Sequence, residues 1–286
     1  MENIIISNAS EFERKKKKMI EEGVGKLHVL SDFDRTLTKA FHKDEKTGSI
    51  ISKLRKEKGK YLTEDYAERA QKLFDKYHPI EISQDFLQYE KNEKMFEWWK
   101  KHKELLIECG FDKNTVVRIV NDMIEGDYLV FRNKVREFLE SLEKKKIPLI
   151  IMTSSLGDLV EEFMKQKKVL SDNVYIIGNS FEFNKDGKAI GIKKIIHVFN
   201  KNEQSVSELP VFKELLNRKN VILLGDSLGD LGMIEGFDYD NLIKIGFLNE
   251  NVEGSLEEFK KSYDVVILND GDFGFINELV GGVVGV

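Results

Sequence analysis

The sequence predicts an α/β protein: a doubly wound parallel sheet carrying a mostly helical insert. Three observations predict it. Compact apolar runs such as Ile147 to Met152 and Val221 to Leu224 have the length of fully buried parallel strands. Segments with apolar residues at helical spacing alternate with them. Between about Phe41 and Gly126 the texture changes to strongly charged, with Pro79 the only proline.

In chain order, Ser10 to Ile20 reads as a helix stopped by Gly23 and Gly25. Lys26 to Ser31 is a strand that delivers Asp32. The insert shows helical spacing at Tyr61, Ala67, Ala70, Leu73, Phe74 and Tyr77. Leu129 to Lys145 follows as an amphipathic helix, then the strand Ile147 to Met152. Ser155-Leu156-Gly157-Asp158 has the form of a capping box opening a helix with Leu159, Val160, Phe163 and Met164 on one face. Asn173 to Gly178 reads as a strand. Phe181 to Ile192 reads as a hairpin turning at Asn184-Lys185-Asp186-Gly187. A helix near Pro210 to Leu216, the strand Val221 to Leu224, the strands Leu242 to Gly246 and Val265 to Leu268, and a helix at Val252 to Lys261 between them complete the order. The apolar, glycine-rich tail Val280 to Val286 either frays or covers an edge.

The 286 residues suffice for a core domain with a smaller insert, here residues 1–40 and 127–286 for the core and 41–126 for the insert. A hydrophobic content of 41% with 33% charged residues fits a globular enzyme. A formal charge of −5 implies no pull toward nucleic acid or anionic membrane. No run of 18 apolar residues predicts a membrane span. The N-terminus lacks the basic region of a signal peptide. Lys15 to Lys18 sit among glutamates, as on a solvated helix face. The one cysteine, Cys109, forms no internal disulfide and fits a reducing, cytoplasmic setting. Asn8-Ala9-Ser10 matches a glycosylation acceptor, which has no meaning in such a setting. His28, His42, His78 and His197 are expected to pack or to sit at the surface.

The chemistry concentrates at strand ends, where open α/β sheets bind ligands. In Val29-Leu30-Ser31-Asp32-Phe33-Asp34-Arg35-Thr36, one aspartate can attack as a nucleophile and one two residues later can handle a leaving group's proton. Together they can hold a hard cation through oxygen. Magnesium takes few protein carboxylates but needs one from another strand end. Leu224-Gly225-Asp226-Ser227-Leu228-Gly229-Asp230 supplies Asp226 and, one turn on, Asp230. The same residues also suit a turn capping a helix. Thr153 and Ser154, after a strand and before a helix, can form an anion site or act as N-caps. Lys201 can place a point charge on a phosphate, although the chain is rich in lysine.

The combination is more specific than its parts. Asp-x-Asp-x-Thr, then Thr/Ser, then Lys, then Gly-Asp-x-x-x-Asp, in this order, resembles the haloacid dehalogenase superfamily. The resemblance implies a Rossmann-like core with a mobile cap and a magnesium-dependent phosphatase. It makes Asp32 the nucleophile and Asp34 the acid/base, with Thr153 and Lys201 on the phosphate and Asp226 on the metal. A narrower resemblance, from about Leu27 to Leu268, is to the cytosolic 5′-nucleotidase III (pyrimidine 5′-nucleotidase) family. It is carried by Pro79-Ile80-Glu81, Glu97-Trp98-Trp99, Ile196-His197-Val198-Phe199-Asn200-Lys201 and Lys244-Ile245-Gly246-Phe247-Leu248-Asn249, among others. It implies that Glu81 and His102, in the cap, touch the nucleotide. The family's Ser-Ala-Gly is Thr153-Ser154-Ser155 here, and Gly232 stands where a basic residue is common.

The expected reaction is hydrolysis of a nucleoside 5′-monophosphate through an aspartyl-phosphate, with Mg2+ as cofactor and Asp32, Asp34, Asp226 and Asp230 around it. The expected partner is a small nucleotide, with no nucleic acid polymer, no membrane and a monomeric chain. The base rests on the insert, where Glu81 can accept from an exocyclic amine and Phe96, Trp98 or Trp99 can stack or simply pack. Pyrimidine and 7-methylguanine remain open as the base. A small-metabolite phosphatase acting on phosphoserine is the nearer alternative. A non-catalytic phosphate-binding module is the remoter one, since all three central carboxylates are present.

Overall fold

The computed structural model describes residues 3–43, 45–83, 85–197, 200–202, 206–207 and 209–285. Val198 and Phe199 of the His-Val-Phe-Asn-Lys stretch, and Val286 of the tail, lie outside the described residues. The chain begins with β1 (Ile4–Ile6), α1 (Ala9–Glu22) and β2 (Leu27–Ser31). The insert holds β3 (Phe41–His42), β4 (Glu45–Lys46), α2 (Ile50–Lys56), α3 (Tyr66–Ile82), α4 (Gln88–Glu108) and α5 (Lys113–Glu125). Then come α6 (Val135–Lys144), β5 (Leu149–Leu156), α7 (Gly157–Gln166), β6 (Val174–Phe183), β7 (Ala189–Lys194) and α8 (Phe212–Leu215). The chain closes with β8 (Asn220–Gly225), a 3-10 turn Leu228–Ile234, β9 (Asn241–Leu248), α9 (Val252–Ser262), β10 (Val265–Leu268) and α10 (Gly274–Val284).

Among the described residues eight strands form one sheet in the order β1-β10-β9-β8-β2-β5-β6-β7. The six inner strands are parallel and the two edge pairs, β1 with β10 and β6 with β7, are antiparallel. The chain winds outward from β2 in both directions, so β2 sits at the switch of strand order. Register aligns its end with its neighbours: Ser31 lies opposite Leu224 of β8 and Ile151 of β5.

Strands β2, β5, β8 and β9 are buried on both faces over nearly their whole length, which explains the unbroken apolar runs. One apolar layer contains Leu27, Val29, Leu149, Ile151, Ile222, Leu224 and Ile245. The other contains Leu30, Ile150, Met152, Val221, Leu223 and Val266. Helices α1, α6, α7 and α10 contribute to the first layer, and α8 and α9 to the second. The insert is continuous with the first layer through Ile50, Leu54, Tyr66, Ala70, Leu105 and Leu106. The β6–β7 hairpin ties into it as well, because Lys113 N–H donates to Gly187 O and Ala189 N–H to Phe111 O.

Several expectations are corrected. The helix read from Leu129 begins at Val135, because residues 130–132 are engaged by the loop after β2. Lys39 N–H donates to Val130 O, Arg132 N–H donates to Leu37 O, and Thr38 bridges to Phe131. The helix near Pro210 to Leu216 shrinks to Phe212–Leu215 amid turns. The capping box at Ser155 does not form: Leu156 is the N-cap, the Asp158 carboxylate accepts from Phe181 N–H, and the Ser155 hydroxyl is buried without a partner. The strand from Asn173 runs on to Phe183 as the first arm of the hairpin. Ile4–Ile6, read only as not a signal peptide, is an edge strand. The tail up to Val284 is neither frayed nor at an edge, since Ile276, Leu279, Val280 and Val283 are buried on a helix against α1 and α6.

Candidate active site

Asp32 stands one residue beyond β2, where its backbone N–H still donates to Leu224 O of β8 at 3.0 Å. Asp226 follows Gly225 at the end of β8. Asp230 comes one turn later and is folded back: its Oδ2 accepts from Asp226 N–H (3.1 Å), Ser227 N–H (3.0 Å) and Ser227 Oγ (2.9 Å). Carboxylate oxygens of Asp32, Asp226 and Asp230 all lie within 4.8 Å of one another. Lys201, buried, donates from Nζ to Asp32 Oδ1 at 2.5 Å and to Asp230 Oδ1 at 3.1 Å. Thr36 Oγ1 donates to Asp32 Oδ2 at 3.4 Å.

The charges are poorly compensated. Burial pushes the Asp32 carboxyl up to about 7 against the Lys201 ammonium, with Asp230 and Asp34 adding repulsion. Burial, then repulsion from Asp230 and Asp32, holds Asp226 well above the ordinary carboxylate range. Burial disfavours the Lys201 ammonium, yet Asp32 and Asp230 outweigh it and keep the side chain charged. Among the described residues the Asp226 carboxylate accepts no hydrogen bond. An all-oxygen set with an uncommitted carboxylate and a surplus of negative charge fits a hard divalent cation.

Asp34 does not join that set. It is half-buried on the turn after Asp32, and burial raises it to about 6 against Arg35, Lys201 and the Ile50 backbone N–H at the start of α2. Asp230 lies within the set, and its two oxygens also organise the loop and Lys201.

Thr153 sits on β5, the strand beside β2, and its Oγ1 accepts from Ser155 N–H at 2.9 Å. Its place is shaped by a close approach: a Cβ on Gly178 would meet Thr153 Cγ2 and Gly157 Cα at 2.9 Å. The Ser154 carbonyl accepts from Asn179 Nδ2 at 2.8 Å.

Glu81 and His102 are on the insert helices. Glu81, half-buried on the last turn of α3, has its carboxyl raised by burial, opposed by Lys91. His102 on α4 is buried between Tyr66 and Trp99, accepts or donates at 2.9 Å with Tyr66 Oη, and is pulled down to about 4 by burial. The structure therefore engages His102 inside the helix pair and does not bring it to the aspartates. Trp98 stacks on Tyr77 at 6.0 Å, with its Nε1 buried and unpartnered, while Phe96 is 50% exposed.

Sequence reasoning missed Arg132. It is buried behind the turn that follows Asp32, donating to Thr36 O (2.8 Å), Gly271 O (3.0 Å), Asn249 Oδ1 (2.7 Å) and Arg35 O, and pairing with Asp270 at 2.8 Å. Nothing local marks it, because it falls inside a segment that reads as helix. Its partner Asn249 was visible only as the last residue of the Lys244 to Asn249 stretch.

Residues 35–284 match the family described as pyrimidine 5′-nucleotidase (UMPH-1). A 7-methylguanosine phosphate-specific 5′-nucleotidase of Mus musculus is 35% identical over 260 residues, covering 90% of this chain and 85% of that protein. A putative cytosolic 5′-nucleotidase 3 of Caenorhabditis elegans is 30% identical, covering 98% of this chain and 75% of that protein. A crystal structure of cytosolic 5′-nucleotidase IIIB bound to cytidine superimposes with a TM-score of 0.88 at 28% identity, over 99% of this chain and 94% of that one. A probable phosphoserine phosphatase of Vibrio cholerae, at 9% identity and a TM-score of 0.55 over 92% of this chain and 67% of that one, shares the fold. Among the described residues no helix is long and apolar enough to cross a membrane.

Proposed function

Because this chain belongs to the pyrimidine 5′-nucleotidase (UMPH-1) family, we propose that it hydrolyses nucleoside 5′-monophosphates to nucleoside and phosphate. Residues 1–40 and 127–286 are the catalytic core in this reading, and 41–126 are a cap that recognises the base. The observation that carries it is the meeting of Asp32, Asp226 and Asp230 around Lys201 at the ends of two adjacent strands.

An Asp32 oxygen attacks phosphorus in line and forms the aspartyl-phosphate as the bond to the 5′-oxygen breaks. Asp34, raised to about 6, retains a protonated fraction near neutrality and gives that proton to the departing oxygen. Once ionised, it takes a proton from the water that then attacks phosphorus, releasing phosphate and restoring Asp32. Lys201 and the Thr153–Ser154 turn hold the phosphoryl oxygens, and Asp230 fixes Lys201. A magnesium ion on Asp32 and Asp226 would supply charge neutralisation for the dianionic substrate.

Glu81 and the Trp98–Trp99 pair stand for base recognition in this reading. The family's description supports cytidine or uridine monophosphate. The relatives' names, and the affinity of a cationic methylated guanine for a tryptophan face, support 7-methylguanosine monophosphate. In this reading the chain acts as a monomer and its compartment is the cytoplasm, the latter as the C. elegans relative's name suggests. The test is phosphate release from cytidine, uridine, 7-methylguanosine and adenosine monophosphates and phosphoserine, with and without magnesium, for wild type, Glu81→Ala and Trp99→Ala. Magnesium-dependent release from a nucleotide, with a ranking changed by either variant, is expected. Release from phosphoserine alone overturns the reading, and an unchanged ranking removes both side chains from recognition.

A further inference from the structure

Asn179 is fully buried on β6, opposite Leu156 at the end of β5, and its side-chain hydrogen bonds among the described residues go to Ser154 and Ile196 rather than to Asp32, Lys201, Asp226 or Asp230. Its amide reaches two loops at once. Nδ2 donates to Ser154 O at 2.8 Å and to Ile196 O at 2.7 Å, while Oδ1 accepts from Ile196 N–H at 3.1 Å. Ser154 O belongs to the turn of Thr153. Ile196 opens the segment that ends in Lys201, which Asn200 shapes in turn through His197 N–H (2.7 Å) and Ile195 O (3.0 Å). From β7 to α8 this segment has no regular secondary structure of its own among the described residues. Side-chain hydrogen bonds and the two ion pairs of Lys201 contribute to its position.

We propose that Asn179 is the positioning residue that sets the spacing between the Thr153–Ser154 turn and Lys201, and so the width of the phosphoryl site. This inference rests on the reading that those groups hold phosphate. A primary amide suits the task because it offers two donors and an acceptor in one plane, as needed by two carbonyls and one N–H that are all buried. No hydroxyl or carboxylate of similar size meets all three. Phosphoryl transfer depends on positioning, and an error of about 1 Å can cost about a hundredfold in rate. The clamp would thus act on the phosphate end of the substrate and leave the base end untouched.

The experiment compares Asn179→Ala with wild type for kcat, KM, inhibition by inorganic phosphate and binding of the free product nucleoside, each per folded molecule. The expected result is a fall in kcat of about tenfold to a hundredfold and phosphate inhibition weakened by about tenfold. Nucleoside binding should change less than twofold. In a double-mutant cycle with Lys201→Ala, the two losses should be far from additive, because Asn179 acts through Lys201. If the alanine variant does not fold, Asn179→Ser, which keeps one hydroxyl for Ile196, carries the same measurements. A folded variant with kcat and phosphate inhibition within twofold of wild type overturns the inference, as do additive losses. Failure of wild type to release phosphate from any nucleotide instead overturns the functional reading beneath it.

Discussion

Asp32 is a group normally ionised at neutral pH that the fold places where ionisation is disfavoured, with Lys201 in direct compensation. A buried carboxylate that repels its neighbours weakens the fold in return for reactivity. Asp32→Asn should therefore lower turnover by about a thousandfold or more while circular dichroism and the melting temperature stay near or above wild type. Turnover within tenfold of wild type would remove Asp32 as nucleophile. A second buried group lies outside the site. Lys103 on α4 is fully buried, donates to Ser180 O at 2.9 Å and faces the Phe181 ring, with Asp158 the nearby charge. Burial pulls its ammonium down to about 7, opposed by Asp158. Between about pH 7 and pH 10 the unfolded chain holds a proton on this lysine that the folded chain lacks, so stability from this group rises with pH. Urea midpoints at pH 7 and pH 9 should show wild type gaining about 2 kcal/mol on Lys103→Met over that interval. Parallel behaviour of the two proteins would mean that Lys103 titrates as an ordinary lysine.

The turn from Asp32 to Thr38 is held from behind by elements distant in sequence. Arg132 and Asn249 donate to the carbonyls of Arg35 and Thr36, Gly271 O and the Asp270 carboxylate hold Arg132 from the other side, and Asp270 also accepts from Ala40 N–H at 2.8 Å. Arg35 itself has a φ of +60°, a left-handed conformation unusual for a residue with a side chain, which those contacts sustain. Arg132→Ala leaves Asp270 without its cation and several carbonyls unpaired, so urea denaturation should show a loss of about 3–5 kcal/mol. A loss below about 1 kcal/mol would mean that water replaces the guanidinium at little cost. The same elements show what could be read in advance. Parallel strands buried on both faces announce themselves as apolar runs, and β10 was read to the residue. β1 could not be recognised, because three isoleucines become a strand only through pairing with Val265 to Ile267, near the other end of the chain. The start of α6 was misread for a related reason: amphipathic spacing continued into residues 129–134, but pairing with Leu37 to Lys39 claimed them first.

Across the molecule, the parts of the site tied to strand ends were legible and the parts tied to packing were not. Asp32, Asp226 and Thr153 each follow an apolar run, so their meeting follows from a parallel sheet with aligned register. The organising role of Asp230, the clamp of Asn179 and the support from Arg132 depend on side chains crossing between loops, which no local pattern announces. His102 is a related case: the sequence places it on an aromatic-rich helix of the insert, and only the fold shows Tyr66 and Trp99 packed on either side of it. The central claim is that the strand-end carboxylates form one cation site beside Lys201. Calorimetric titration of magnesium into wild type and Asp226→Asn tests it directly. One saturable site in wild type, weakened by at least about tenfold in the variant, is the predicted result; equal binding by both proteins, or none by wild type, would contradict it.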